Sequence, residues 1–193
     1  MKIIEPPEFE FYSYIFKDEK TFHGGVASRR GLCTCTFGHK KLSDARKILK
    51  DTMSTRTGKI KYVKDLKDVD DDDCKYILNR FQDELDQYFH GKLKRFTLPI
   101  EIGVGTDFDR KVWMSCERIP YGETEYYKNI ASRIGDPKMA KDIGDACRTN
   151  PLPIIIPCHR VLESKQKIGT FSGGVVKKRM LLKLEDTHSS VKN

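Results

Sequence analysis

Apolar positions follow two rhythms along this chain. Phe9 to Phe16 is rich in aromatic residues, and from Gly31 to Phe37 the residues Leu32, Thr34 and Thr36 alternate with Cys33, Cys35 and Phe37. That period of two sends successive side chains to opposite faces of a sheet, so residues 9–37 are expected to form short strands. The spacing then lengthens. Leu42, Ala45, Ile48 and Leu49 recur at three and four residues, as do Ile77, Phe81, Leu85 and Tyr88 in a longer stretch closed by Gly91, which predicts two amphipathic helices. Between them residues 51–73 are polar and end in the acidic run Asp70 to Asp73, the composition of a long loop or insertion.

Gly103-Val104-Gly105 is a natural link between two halves, placing an N-terminal domain at 1–103 and a C-terminal one at 104–193. Past it, Thr106 stands three residues before Asp109, the spacing of a helix N-cap and its reciprocal partner. Phe108, Val112, Trp113 and Cys116 then share one helical face, the pattern of a core-facing stripe. Pro120-Tyr121-Gly122-Glu123 is turn chemistry. Residues 124–134 and 137–148 read as two helices separated by Gly135-Asp136, with Asp136 able to cap and Pro137 suited to a first helical position. Two short helices across a glycine-containing turn are either a helix-turn-helix or an ordinary helical corner.

With 193 residues, 38% of them hydrophobic, the chain is long enough for one or two cored domains. Its formal net charge of +8 suits polyanionic partners such as nucleic acid, with acidic residues concentrated before Arg110 and Lys/Arg dominating after it. The first residues lack the apolar stretch of a secretory signal. No run approaches the ~18 apolar residues of a membrane span, so an intracellular protein without membrane contact is expected. Six cysteines are scattered without framework spacing and read as free thiols.

One of those cysteines has unusual neighbours. In Ile156-Pro157-Cys158-His159-Arg160-Val161 a thiol lies directly beside an imidazole and a guanidinium. Nearby positive charge and a base shift a thiol towards thiolate, the strongest side-chain nucleophile. The competing reading is a buried structural cysteine, since free Cys is among the most buried residue types. The flanks decide more. Asn150-Pro151-Leu152-Pro153 precedes the block, and Gly169-Thr170-Phe171-Ser172-Gly173-Gly174 and a helical stretch reaching Leu184-Glu185 follow it. From about Gly105 to Glu185 the chain resembles the O6-alkylguanine-DNA alkyltransferases, single-turnover repair proteins that take an alkyl group from a damaged base onto their own cysteine. A weaker echo covers Arg30-Gly31-Leu32, Tyr88-Phe89-His90-Gly91 and Leu98-Pro99.

The resemblance implies an α+β protein: a small N-terminal α/β domain with an antiparallel sheet, then a winged-helix-like, helix-turn-helix DNA-binding domain carrying the active-site cysteine. It implies Cys158 as alkyl acceptor, His159 as its base, Glu185 as the carboxylate that orients the imidazole, Tyr127 as the pocket tyrosine and Asn150 as a hinge. Because adjacent residues on a strand point oppositely, Cys158 and His159 require a turn after Pro157 or a bridging water. Ile168, Gly169, Phe171, Ser172 and Gly173 are expected to line the pocket for a flipped-out base. Lys138, Lys141, Arg148, Arg160 and Ser172 are expected to contact double-stranded DNA through its minor groove, the protein acting as a monomer, in the nucleus of a eukaryote or otherwise in the cytoplasm. Arg160 also reads as a structural brace.

No cofactor is implied, because the substrate supplies the group and the protein accepts it. Cys33-Thr34-Cys35 with His39 lacks the usual spacing of zinc ligands, so no metal is expected. Lys141 stands where the family usually has an intercalating arginine, and an ammonium has no planar face to stack on bases. Asp142 and Asp145 add negative charge to the same helix, and Tyr126 replaces a small hydroxyl residue before the pocket tyrosine. Three other functions compete. A damage binder without transfer would lack the cysteine, a pure helix-turn-helix regulator would not need the pocket set, and a thiol hydrolase would need an oxyanion segment that is not evident.

Overall fold

The computed structural model describes residues 10–54, 59–135, 137–163 and 167–189. In the N-terminal half the aromatic-rich stretch forms strand β1, Glu10–Lys17, followed by β2, Phe22–Ser28, and β3, Gly31–His39. These pair antiparallel in sequence order, with Tyr12 opposite Ala27 and Gly25 opposite Cys35. The expected antiparallel sheet is extended by β4, Lys59–Val63, which runs parallel to β1 and gives the order β3-β2-β1-β4. Residues 51–73 are therefore not one long loop. They contain the end of helix α1 (Leu42–Met53), strand β4, a single 3-10 turn at Leu66–Asp68 and the start of helix α2 (Asp72–Phe89).

The period of two in β1 sorts its side chains. Phe11 and Ile15 pack with Leu49 and Met53 of α1, together with Val26, Cys33 and Ile60. The alternate residue Phe16 meets Phe81 of α2 edge-on, with ring centroids 6.0 Å apart. Each helix thus covers one face of the sheet. Glu84, near the end of α2, is buried and accepts from the Thr97 and Leu98 backbone N–H groups at 2.8 and 3.3 Å and from the Thr97 hydroxyl at 2.7 Å, while Arg80 Nε donates to it at 2.8 Å.

The chain divides into two units. One takes the described residues up to Glu84 together with Thr97–Val104, and the other takes Leu85–Phe96 and the described residues from Gly105 onward. The last turn of α2 and the segment after it thus group with the C-terminal elements. In the second unit Thr106 caps helix α3, Asp107–Glu117, and forms a complete capping box with Asp109. Strand β5, Glu125–Tyr126, leads into α4, Tyr127–Ile134. Gly135, at φ 125, then permits the turn that few other residues tolerate. Pro137 opens a 3-10 turn, Pro137–Met139, before helix α5, Ala140–Arg148, and the expected cap Asp136 lies outside the described residues.

Helices α3, α4 and α5 pack on one another, with Val112, Trp113, Ile130, Ile143 and Ala146 buried and Trp113 Nε1 donating to the Ala146 carbonyl at 2.7 Å. Strand β6, Val161–Leu162, pairs parallel with β5, and helix α6, Val175–Ser189, closes the unit. Among the described residues no helix is long and apolar enough to cross a membrane.

Candidate active site

Residues 150–160 form a tight loop shaped by prolines and one asparagine. Pro151, Pro153 and Pro157 each fix φ, and the buried Asn150 side chain ties the loop from inside. Its Oδ1 accepts from Leu152 N–H at 2.9 Å, and its Nδ2 donates to the Ile156 carbonyl at 2.8 Å and to Cys158 Sγ at 3.3 Å. Ile154 is held at φ 78, a conformation costing a β-branched residue on the order of 1–3 kcal/mol. The bonds made by Asn150 and the burial of Ile154 and Ile156 offset that strain. Cys158 N–H donates to Ile156 O at 2.8 Å, and the chain then turns in a 3-10 helix, Cys158–Arg160. This is the turn after Pro157 that the adjacency of Cys158 and His159 demands.

The turn sends His159 and Arg160 to one buried carboxylate on α6. Glu185 Oε1 lies 2.7 Å from His159 Nε2 and accepts from Tyr88 Oη at 2.6 Å and Arg160 Nη2 at 2.9 Å. Its Oε2 accepts from Arg160 Nε at 2.9 Å and Gly122 N–H at 3.1 Å. Burial alone would raise this carboxyl, but the bonds and charges of His159 and Arg160 outweigh it and bring it down to about 2. His159 is fully buried, and burial pushes its pKa below the ordinary value against the pull of Glu185. Because Nε2 faces a carboxylate oxygen, we assign the hydrogen to Nε2 and leave the Nδ1 lone pair as the acceptor.

Tyr127, at the start of α4, donates to the Thr170 carbonyl at 3.2 Å. Burial raises its phenol, keeping it a donor at neutral pH. Beside it stands Lys178 of α6, a residue sequence reasoning missed. Its side chain is fully buried, and Nζ donates to Val161 O at 2.5 Å, Thr170 O at 3.1 Å and Tyr127 Oη at 3.4 Å. Burial brings this ammonium down to about 8. Two further cysteines come close to Cys158: Cys116 of α3, read as part of a core-facing stripe, and Cys147 of α5, read only as a free thiol, have sulphurs that lie with that of Cys158 within 4.8 Å of one another. Burial raises the Cys158 thiol well above its usual range, whereas S–H donation by Cys116 and Cys158 lowers Cys147.

The remaining expected residues fall into three groups. Phe171 is buried and meets the His159 ring edge-on at 6.0 Å, and Gly169, at φ 66, lies so close to Tyr127 that a Cβ would come within 2.7 Å of its hydroxyl. A Cβ on Gly173 would meet Phe171 at 2.8 Å, while Ile168 is half-buried. Lys138, Lys141, Arg148 and Ser172 are exposed, with Arg148 paired to Asp145 at 3.0 Å. Arg160 is corrected: it is buried, and it gives its donors to Glu185 and to the Ile119 carbonyl at 2.6 Å, so it braces the site instead of facing DNA. A cavity of about 420 Å³ lies against Glu185, lined also by Gly122, Thr124, Leu182, Lys183 and Asp186, none of them expected pocket residues.

Tyr88 was the other omission. Its motif was noticed in the sequence, but nothing local signals a hydroxyl that reaches a carboxylate 97 positions away.

These features define a two-unit protein in which a helix-turn-helix body carries a buried thiol, imidazole and carboxylate. The chain belongs to the O6-methylguanine DNA methyltransferase family. The family's DNA binding domain matches residues 107–187 and its ribonuclease-like domain matches residues 26–102. A methylated-DNA–protein-cysteine methyltransferase of Mycobacterium tuberculosis is 43% identical over 107 residues, 55% of this chain and 64% of that protein. One from Methanosarcina barkeri is 46% identical over 105 residues, 54% of this chain and 66% of that protein. The alignments thus span slightly less than two thirds of these relatives. The crystal structure of the M. tuberculosis O6-methylguanine methyltransferase superposes with a TM-score of 0.69 at 26% identity, covering 94% of this chain and 96% of that one. A structure of the M. tuberculosis protein in complex with DNA gives 0.70 at 27%, covering 92% and 94%.

Proposed function

We propose that this chain repairs DNA by direct reversal, moving the alkyl group of O6-alkylguanine irreversibly to Cys158. The observation that carries this reading is the buried bond between Glu185 and His159, beside a cysteine whose sulphur accepts from Asn150. The Cys158 S–H proton passes through a bridging water to His159 Nδ1, and Glu185 stabilises the resulting imidazolium. The thiolate attacks the alkyl carbon, a C–S bond forms, and the bond from that carbon to guanine O6 breaks with its electron pair leaving on the base. Tyr127 donates towards the departing guanine. Asn150 holds the loop that carries the sulphur, while Gly169, Phe171, Ser172, Gly173 and Ile168 receive the base.

The partner is duplex DNA, met from the minor groove by a monomer, with Lys138, Lys141 and Arg148 facing it and Lys138 and Arg148 towards phosphates. The relative solved with DNA and the exposure of these three cations support that assignment. A base must leave the stack to be reached, at a cost of a few kcal/mol, and Lys141 is the side chain we assign to the gap.

Denaturing mass spectrometry after incubation with an O6-methylguanine duplex tests the reading. One methyl on Cys158 per chain and no further turnover is expected, with Cys158→Ala binding the duplex but gaining nothing. Repeated turnover, or methyl on another cysteine, would overturn it.

A further inference from the structure

Three sulphurs converge in the second unit from three separate elements: Cys116 on α3, Cys147 on α5 and Cys158 after Pro157. All three residues are buried, none is in a disulfide, and the Sγ atoms lie within 4.8 Å of one another. Alkyl transfer needs only one of them. Buried cysteines often serve as small hydrophobes, but this cluster has polar company that a hydrophobe does not require. Asn150 Nδ2 donates to Cys158 Sγ at 3.3 Å, and the buried Lys178 ammonium acts electrostatically on all three sulphurs. Both work against the burial and neighbouring sulphurs that hold the Cys116 and Cys158 thiols above their usual range, so a metal ion has to displace those protons.

Thiolates are soft ligands that select soft or borderline ions. At a metal–sulphur length of about 2.3 Å, three sulphurs around a central ion stand roughly 4.0 Å apart. Sulphurs already within 4.8 Å need contract by less than an ångström. Three thiolates around a divalent ion leave one negative charge, which the Lys178 ammonium balances.

We propose that Cys116, Cys147 and Cys158 form a three-thiolate site for one soft divalent cation of the zinc–cadmium class. Binding releases the three thiol protons to solvent and forms three metal–sulphur bonds. Resting on the alkyl-acceptor reading, a consequence follows for repair: the bound ion occupies the Cys158 lone pair and silences transfer, and a Cys158 already carrying an alkyl group is no longer a thiolate ligand.

The test titrates the full, reduced chain with cadmium chloride without oxygen, reading thiolate-to-cadmium absorption. One ion per chain is expected. Cys116→Ala and Cys147→Ala should each weaken binding by more than the roughly ten-fold that follows loss of an outer-shell partner, while Cys33→Ala leaves it unchanged. X-ray absorption at the cadmium edge of the wild type should count three sulphur neighbours, a readout independent of how the variants fold. Fewer than three sulphurs, or undiminished affinity in Cys116→Ala and Cys147→Ala, overturns the site. Cadmium-loaded protein should gain no methyl from an O6-methylguanine duplex, and methylated protein should lose the absorption. If the metal-free protein also gains no methyl, the repair reading fails while the sulphur count still decides the metal site.

Discussion

Two buried glutamates, one in each unit, separate structural from chemical use of the same side chain. Glu84 and Glu185 both lie on helices, are 4% and 1% exposed, and each pairs with an arginine. Glu84 spends its oxygens on the Thr97 and Leu98 backbone, the Thr97 hydroxyl and Arg80. None of those donors gives up its proton near neutral pH, so the cluster can only hold two segments together. Glu185 takes an arginine, a tyrosine and a backbone N–H as well, but adds the imidazole of His159. In the mechanism proposed above that imidazole takes up a proton, which makes this cluster a relay where that of Glu84 is a structural knot.

The largest expected effect breaks that relay. Glu185→Gln keeps the size of the side chain but removes the charge that stabilises protonated His159. Single-turnover methyl transfer at saturating duplex should slow by about 10²-fold or more, the scale seen when preorganised stabilisation is deleted, with binding little changed. An unchanged rate would remove Glu185 from the mechanism. Glu84→Gln should do the reverse: transfer stays within about two-fold of wild type, while denaturant unfolding shows a loss of roughly 1–3 kcal/mol from imperfectly paired buried groups. A repair defect at wild-type stability in Glu84→Gln would erase the distinction between the two clusters.

The contrast also explains what the sequence could reveal. Helical spacing located α1, α2 and α3, and the Thr106–Asp109 box located a helix start, because these signals are local. The PCHRV block and the offset of Glu185 identified the relay through the family's motif order. Strand β4 escaped because an edge strand with Lys61 half-buried on one face and Tyr62 exposed on the other lacks a clear apolar alternation and sits in polar sequence. Cys116 read as a core position and is buried, but periodicity says that a side chain is inside and not which side chain it meets there, and Cys147 read only as a free thiol. Arg160 was expected both to contact DNA and to brace structure; the 3-10 turn brings it to the same carboxylate as His159, which leaves the brace.

Acid separates the clusters next. The Glu185 carboxyl falls from its ordinary 4.5 to about 2 on folding. A depressed carboxyl contributes stability that is complete above 4.5 and is lost as pH falls towards 2. That contribution is on the order of 3 kcal/mol at neutral pH. Wild type should therefore lose stability steeply across this window, and Glu185→Gln should flatten that limb in denaturant unfolding followed at several pH values. An equally steep limb in the variant would mean that other carboxylates govern acid unfolding. His159 is lowered too, by burial and against the pull of Glu185, so the base stays neutral below the usual imidazole value of about 6.5, and transfer should persist there.

The smallest effect is expected at Arg80. Its side chain is 38% exposed, against 8% for Arg160, and it meets Glu84 through a single short contact, Nε to Oε1 at 2.8 Å. Exposed ion pairs contribute about 0–1 kcal/mol and weaken with salt. Arg80→Ala still leaves Glu84 with two backbone N–H groups and a hydroxyl, so that buried acceptor is not orphaned; what is lost is the screened charge and the exposed bonds to Tyr76 Oη and Thr97 Oγ1, which water can replace. Unfolding in low salt should show a loss of less than about 1 kcal/mol that shrinks in high salt, with methyl transfer unaltered. A loss of several kcal/mol that salt does not reduce would show that Arg80 neutralises a carboxylate as desolvated as Glu185, and the two glutamates would then differ in the histidine alone.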